Sequence, residues 1–239
     1  MVSIIEHYTV LKNQIIKGRY MKLYIDTASP DIIKEYLSLG IIDGITTNPT
    51  NLSSLKGNPS AHIRELLSLL PNKDVSIEVT EIEPEKVYKQ AIDIANLSSN
   101  VLVKIPCSPQ YYSVINRLVK EGISLNITLV FSFMQGLMMA KLGVTYISPF
   151  VGRLQDIGHD GVFLIDDLTR VIKGYNFKTK ILAASLRNLD QVQDVVRLGT
   201  DAITIPPSLL KSMLHHPLTT KGIETFEKNW QELGINKFP

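Results

Sequence analysis

The sequence predicts a single (β/α)8 barrel, an α/β fold, followed by an additional C-terminal helix. Three observations carry that prediction. The 239 residues suit one barrel of about 250 residues, or two small domains. Short β-rich runs alternate with amphipathic segments, with short connections and no linker between them. The β-rich runs are apolar rather than alternating, as in a parallel sheet whose outer face is covered by helices.

Residues 1–20 read as an extension. Ile4–Ile16 has the pattern of a weak helix, and Met21 immediately precedes the first convincing strand. The barrel is expected over residues 21–216. Lys22–Asp26 reads as the first strand and Pro30–Leu39 as the first helix, with Ser29 at its N-cap and Pro30 at its first position. Ile42–Thr47 reads as a strand stopped by Asn48-Pro49, and Pro59–Leu70 as a helix with Ile63, Leu66, Leu67 and Leu70 at helical spacing. Val75–Val79 and Pro84–Leu97 form the third unit, and Val101–Ile105 and Pro109–Glu121 the fourth. Leu125–Val130 is followed by Ser132–Leu142. Thr145–Phe150 is followed by a loop rich in glycine (Gly152, Gly158, Gly161) and then Phe163–Gly174. Lys180–Ser185 with Leu189–Leu198, and Ala202–Ile205 with Pro207–Leu214, complete eight units.

Residues 217–239 hold the extra helix, expected at Thr220–Leu233. Ile223, Phe226, Trp230 and Leu233 give it one strongly apolar face. That face fits a helix packed on its own barrel and equally an arm lying on a neighbouring subunit.

Composition excludes several classes. A net charge of +2 with no basic stripe argues against a nucleic-acid partner. No apolar run reaches the roughly 18 residues of a membrane span, and Glu6, His7 and Lys12 interrupt any signal-peptide core. The single cysteine, Cys107, allows no intrachain disulfide, which suits a cytoplasmic protein. The five histidines lack metal-ligand spacing, and Asp166-Asp167 fits a solvated helix better than a metal site. No GxGxxG or GxxxxGK[ST] element is present, which counts against an open nucleotide-binding sheet.

Catalytic groups of a barrel sit at the C-terminal ends of its strands. Those positions hold Asp26; Thr46, Thr47 and Asn48; Glu78; Lys104; Asn126 and Thr128; Ser148, with Arg153 in the loop beyond; and Ser185, with Arg187 behind it. Charged residues inside apolar strands are costly unless paired or functional. Lys104, within Val101-Leu102-Val103-Lys104-Ile105-Pro106, is the sharpest case. A lysine inside a barrel can serve as an imine-forming nucleophile, and desolvation favours the neutral amine that attacks a carbonyl. The alternative is a buried ion pair with Asp26 or Glu78. The two carboxylates are candidates for general acid–base work, or else Asp26 is an N-cap and Glu78 a partner of Lys104. Arg153 and Arg187 are candidates for a phosphate clamp, or else surface arginines. Cys107 has no histidine placed by sequence to activate it. Two carboxylates alone make a weak case for a glycoside hydrolase and leave Lys104 unexplained.

The sequence resembles the transaldolases, in particular the short subfamily that also contains the fructose-6-phosphate aldolases. The resemblance runs from about Met21 to Leu233. It rests on five motifs in order: Leu23-Tyr24-Ile25-Asp26-Thr27, Gly44-Ile45-Thr46-Thr47-Asn48-Pro49-Thr50, Val103-Lys104-Ile105-Pro106, Ile147-Ser148-Pro149-Phe150-Val151-Gly152-Arg153 and Ala183-Ala184-Ser185-Leu186-Arg187-Asn188. Asn126-Ile127-Thr128-Leu129 agrees with the family's Asn-x-Thr-Leu pattern. The first 20 residues depart from the family.

The resemblance implies a class I Schiff-base mechanism. Lys104 would be the imine-forming lysine and Asp26 the acid–base group at the C4 hydroxyl. Glu78 and Thr128 would hold the catalytic water. Asn48, Asn126 and Ser148, with Thr47 and Phe150 nearby, would orient the dihydroxyacetone unit. Arg153, Ser185 and Arg187 would bind phosphate. No metal or organic cofactor is implied. The partners implied are sugar phosphates and further copies of the chain, up to a decamer.

The fructose-6-phosphate aldolases carry Gln in place of Glu78 and Tyr in place of Phe150, and differ at Asn126. On all three counts this chain favours the transferase. The competing readings are an aldolase that releases free dihydroxyacetone, a non-covalent sugar-phosphate isomerase, and a catalytically silent phosphate-binding barrel.

Overall fold

In the computed structural model, which describes residues 20–55 and 57–235, eight parallel strands close into a barrel in sequence order. The expected helix at Ile4–Ile16 lies outside the described residues. The strands are β1 (Lys22–Asp26), β2 (Gly44–Thr46), β3 (Asp74–Glu78), β4 (Val101–Pro106), β5 (Leu125–Val130), β6 (Tyr146–Pro149), β7 (Lys180–Ala183) and β8 (Ala202–Ile205). The fold class read from the sequence is the one observed. Three strands, β2, β6 and β7, are shorter than expected. The chain enters β2 only at Gly44, because Asp43 accepts from the Leu23 backbone N–H through its side chain at 2.8 Å. After β7, Ala184 makes only an isolated bridge to Phe150.

The helices, numbered in chain order, are α1 (Pro30–Ser38), α2 (Pro49–Ser53), α3 (Pro59–Leu69), α4 (Pro84–Ala95), α5 (Tyr112–Lys120), α6 (Phe133–Leu142), α7 (Val151–Asp156), α8 (Gly161–Gly174), α9 (Leu189–Arg197), α10 (Pro207–Met213) and α11 (Pro217–Glu232). Proline opens α1 through α4 and also α10 and α11, where its missing N–H costs nothing and its fixed φ favours the helix. Ser29 occupies the cap position of α1 but makes no side-chain cap hydrogen bond. Ser132 and Gln135 cap α6 reciprocally, and Gly143, at φ 85°, ends it in the left-handed conformation.

Two helices depart from the sequence reading. Asn48-Pro49 does not only stop a strand; it starts α2, with Asn48 as its N-cap. The glycine-rich stretch is not an open loop. It forms α7 and the start of α8, whose cap is Asp160. Gly152 is there for close approach: a Cβ on it would lie 2.3 Å from the Ser185 carbonyl oxygen and 2.9 Å from Arg187 Nε.

Alternation along the strands separates an outer core from the residues of the lumen. The outward-facing residues, among them Ile25, Ile45, Ile77, Val103, Ile105, Ile127, Ile147 and Ile203, pack against the helices as the main core. The inward-facing set forms a smaller core of Tyr24, Leu102, Tyr146, Leu182, Ala184 and Ala202. Tyr24 and Tyr146 meet edge to face with centroids 6.4 Å apart. The Tyr24 hydroxyl donates to Asp74, which also pairs with Lys22 at 2.5 Å. Gly44 stands beside Tyr24 in register, and a Cβ there would lie 2.2 Å from the Asp74 carbonyl oxygen and 2.7 Å from the tyrosine ring. This apolar floor fills one end of the barrel. Two residues further along each of β1, β4 and β6, the same faces carry Asp26, Lys104 and Ser148.

The last helix, α11, starts at Pro217 rather than Thr220, because the His216 side chain caps it. It buries none of its residues on the barrel. Ile223, Phe226, Trp230 and Leu233 are all exposed in the single chain, so the reading of a helix packed on its own barrel is not what the fold gives. Among the described residues, no helix is long and apolar enough to cross a membrane.

Candidate active site

A cavity of about 380 Å³ opens at the polar end of the barrel. It is lined from every strand, as Asp26, Thr46, Glu78, Lys104, Asn126, Ser148, Leu182 and Thr204 show. Register brings these groups together: Asp26 pairs with Thr46, Glu78 with Lys104, and Lys104 with Asn126. Alternation then turns all of them inward.

Lys104 is the buried centre of the cavity, 6% exposed. Its amine lies 3.0 Å from Glu78 Oε2 and donates to the Thr47 carbonyl at 3.0 Å. The ion-pair reading of Lys104 therefore holds, with Glu78 rather than Asp26 as the partner. Pairing and attack on a carbonyl are compatible, because Glu78 is also the nearest base to that amine. Thr47 supplies only this carbonyl. Its hydroxyl donates to the Ser76 carbonyl at 3.0 Å, and its side chain is not part of the lining.

Asp26 accepts through Oδ1 from Asn51 Nδ2 at 3.0 Å, from Thr46 Oγ1 at 3.2 Å and from Asn48 Nδ2 at 3.5 Å. It does not cap α1, since the cap position of that helix belongs to Ser29. Burial pushes the Asp26 carboxyl above the usual carboxylate range, opposed by the charge of Lys104 and by the bonds from Thr46 and Asn51.

Across the cavity, Ser148 donates to Asn126 Oδ1 at 2.7 Å, and Asn126 donates to Ser76 Oγ at 3.0 Å. Both ends of the Asn126 amide are thus fixed. The Thr128 hydroxyl is buried and finds no hydrogen-bond partner among the described residues. Leu129 and Ser185, both in the lining, adopt φ of 57° and 58° without being glycine. Such strain in two non-glycine residues concentrates at sites where the backbone is held for function. At Leu129 it coincides with the break in register between β5 and β6.

The two arginines are not equivalent. Arg153 lines the cavity, and its guanidinium lies 5.0 Å from the centroid of the Phe150 ring. Phe150 in turn packs edge-on to Phe131 at 5.7 Å. Arg187 lies outside the lining. Its guanidinium is held by two hydrogen bonds to Asp156, at 2.5 and 2.7 Å. Burial pushes the Cys107 thiol up to about 11, which leaves it a poor nucleophile. Among the described residues no three His, Cys, Asp or Glu side chains come together as a metal site requires. Asp166 and Asp167 instead bond Arg170 on the surface of α8.

Asn51, Thr204 and Ser76 belong to this network and were not among the expected site residues. Thr204 was legible in principle, since alternation from Ala202 turns it inward. It shares a 2.6 Å hydrogen bond with Thr46. Asn51 was hidden, because its position depends on α2, which the sequence reading did not foresee.

The family description "Transaldolase/Fructose-6-phosphate aldolase" matches residues 23–237. The chain belongs to the transaldolase/fructose-6-phosphate aldolase family. Relatives named "Probable transaldolase" include one from Kosmotoga olearia, 41% identical over 212 residues, which are 89% of this chain and 97% of that protein. Another, from Streptococcus pyogenes, is 44% identical over 210 residues, 88% of this chain and 98% of its own. Among solved structures, the flavin-binding domain of baker's yeast flavocytochrome b2 superposes with a TM-score of 0.58 at 11% identity. The match covers 79% of this chain and 57% of that one, and at this identity it shows a shared barrel fold alone.

The raised Asp26 carboxyl has a consequence for stability. A carboxyl that protonates more readily folded than unfolded stabilises the fold in its neutral form. That contribution is complete below the unfolded value and is lost as pH rises through the raised one. Asp26→Asn keeps a neutral side chain of similar shape and removes this dependence. Urea denaturation should find the variant more stable than the parent at about pH 7, with the gap narrowing toward about pH 4. A gap that does not change with pH would contradict the assignment.

Proposed function

We propose that this protein is a transaldolase. It moves a dihydroxyacetone unit from a ketose phosphate, sedoheptulose 7-phosphate or fructose 6-phosphate, to an aldose phosphate, as in the pentose phosphate pathway. The observation that carries this reading is the buried Lys104 amine, 3.0 Å from Glu78 and in the same cavity as Asp26 and Arg153, in a barrel of this family.

In this reading the proton of Lys104 passes to Glu78, and the neutral amine attacks the C2 carbonyl carbon of the ketose. Water leaves and a protonated imine forms. Asp26 takes the C4 hydroxyl proton, the C3–C4 bond breaks, and its electron pair passes to the imine to give an enamine. The aldose phosphate leaves. The enamine carbon then attacks the aldehyde carbon of the second aldose phosphate, Asp26 returns the proton to the new hydroxyl, and water releases the product from Lys104. The protonated imine is the electron sink.

Glu78 and the Thr128 hydroxyl hold the water used in making and breaking the imine. Asn48, Asn126 and Ser148 orient the dihydroxyacetone hydroxyls. Arg153, braced by Phe150, binds the phosphate with Ser185, while Arg187 supports the neighbouring chain through Asp156. Phe150 places no hydroxyl beside the enamine. That favours transfer to an acceptor over protonation and release of free dihydroxyacetone.

The exposed apolar face of α11 fits a second copy of the chain. Light scattering is expected to show a homo-oligomer that is lost on deletion from Thr219, and a monomer of unchanged stability would refute the contact.

The assay that tests the function is a coupled measurement with fructose 6-phosphate, with and without erythrose 4-phosphate. Fast formation of glyceraldehyde 3-phosphate is expected only with the acceptor, and none from Lys104→Met. Equal rates without acceptor would make the protein an aldolase. Arg153→Ala should lower kcat/KM about 10–150-fold, since a hydrogen bond to a charged group is worth about 1.5–3 kcal/mol. The loss should be much smaller with glyceraldehyde as acceptor, and smaller still for Arg187→Ala. Equal losses with both acceptors would leave Arg153 a structural role.

A further inference from the structure

We infer that Asn51 is a positioning residue that holds Asp26 ionised and fixes which of its oxygens handles the proton. The inference rests on the reading of Asp26 as the acid–base group.

All the donors that reach Asp26 converge on one atom, Oδ1: Asn51 at 3.0 Å, Thr46 at 3.2 Å and Asn48 at 3.5 Å. Among the described residues none donates to Oδ2, so Oδ2 is the oxygen left to receive a proton. The three donors differ in quality. Asn48 stands at the limit of hydrogen-bond length. The Thr46 hydroxyl has a shorter contact, 2.6 Å, with Thr204, in which either oxygen can be the donor. Thr46 has one proton, which goes to Asp26 when Thr204 is the donor of that contact and is withdrawn from Asp26 when Thr46 is. Only the Asn51 amide gives Asp26 an N–H at ordinary distance with no competing partner among the described residues.

The fold holds that amide in place. Asn48 Oδ1 accepts from the Asn51 backbone N–H at 2.9 Å, which winds the first turn of α2 and swings the Asn51 side chain back over the end of β1. Leu52, on the same turn, is buried in the main core and anchors the helix. The sequence Thr46-Thr47-Asn48-Pro49-Thr50-Asn51 thus delivers one Asp26 donor from the strand end, one from the helix cap and one from the helix turn that follows.

The chemistry requires this support. Asp26 begins each cleavage as a carboxylate, although burial pushes it toward the neutral acid. The charge of Lys104 offsets that push, and so do the hydrogen bonds to the charged form from Thr46 and Asn51. During cleavage the C4 hydroxyl proton passes to Oδ2 while the C3–C4 electron pair passes to the imine. The same proton returns when the new bond forms. Asn51, bound to Oδ1, keeps its hydrogen bond throughout and leaves the rotation of the carboxyl fixed.

The test is the pH profile of kcat/KM for transfer from fructose 6-phosphate to erythrose 4-phosphate. It is measured in the parent, in Asn51→Leu and in Asn51→Asp. The acid limb reports the base of the free enzyme. In Asn51→Leu it should move up by about one pH unit, and activity should recover at alkaline pH. In Asn51→Asp, where a second carboxylate faces the first, the limb should move further in the same direction. The Asp variant keeps a polar side chain of the same size and maintains the test if the leucine variant folds poorly. A loss that is uniform across pH, or a limb that does not move in either variant, overturns the inference alone. If the parent itself transfers no three-carbon unit, the functional reading falls and the inference falls with it.

Discussion

Everything at the polar end of this barrel is arranged around one amine. The Lys104 ammonium and the Glu78 carboxylate stand 3.0 Å apart in neighbouring strands, nearly out of water. Moving two such charges from solvent costs several kcal/mol per ion, and their attraction repays this only when the remaining hydrogen-bonding capacity is also met. The Thr47 carbonyl meets part of it for Lys104. A well-packed apolar pair would stabilise the barrel as well or better. On the proposed function, the pair is the resting state of a reactive amine rather than a structural brace. Asp26 belongs to the same electrostatic unit, since the charge of Lys104 partly offsets the burial that raises it.

That unit depends on the floor below it. Parallel strands turn every second residue inward, so one face of β1 carries both Tyr24 and Asp26, and one face of β4 both Leu102 and Lys104. The lower members close the barrel with rings and aliphatic groups. The Tyr24 hydroxyl is satisfied by Asp74, and Gly44 leaves room for the ring. Water is thereby kept from the cavity on that side, and the polar layer is held by rigid strands rather than loops. The strained backbone lies within β5 at Leu129 and just past β7 at Ser185, and Gly152 lets the Ser185 carbonyl and the Arg187 side chain approach its backbone closely.

Much of this was legible in the sequence, for identifiable physical reasons. Continuous apolar β runs, each followed by a helical segment, dictate a covered parallel sheet. Eight of them dictate closure. Charges inside such runs are expensive enough to be noticed, so Asp26, Glu78 and Lys104 stood out, and alternation alone puts them in one lumen. What escaped depends on short-range geometry with little periodic signal. Helices α2 and α7 have only 5 and 6 residues, too few for a periodicity, and are set by caps and by close backbone approach. Asn51 escaped with α2. Arg153 and Arg187 are indistinguishable as residue types at the ends of strands. Only the positions of Asp156 and Phe150 separate an arginine held by a carboxylate from one aimed over the cavity. The apolar face of α11 was visible as a pattern, but not its standing clear of the barrel.

The central claim is that the Lys104 amine becomes covalently bound to the ketose. Borohydride reduction in the presence of fructose 6-phosphate, followed by mass mapping of the peptides, tests it most directly. The account predicts loss of activity together with a reduced three-carbon adduct on the peptide that contains Lys104, and no adduct in Lys104→Met. An adduct on another lysine, or full activity retained with no adduct at all, would contradict it.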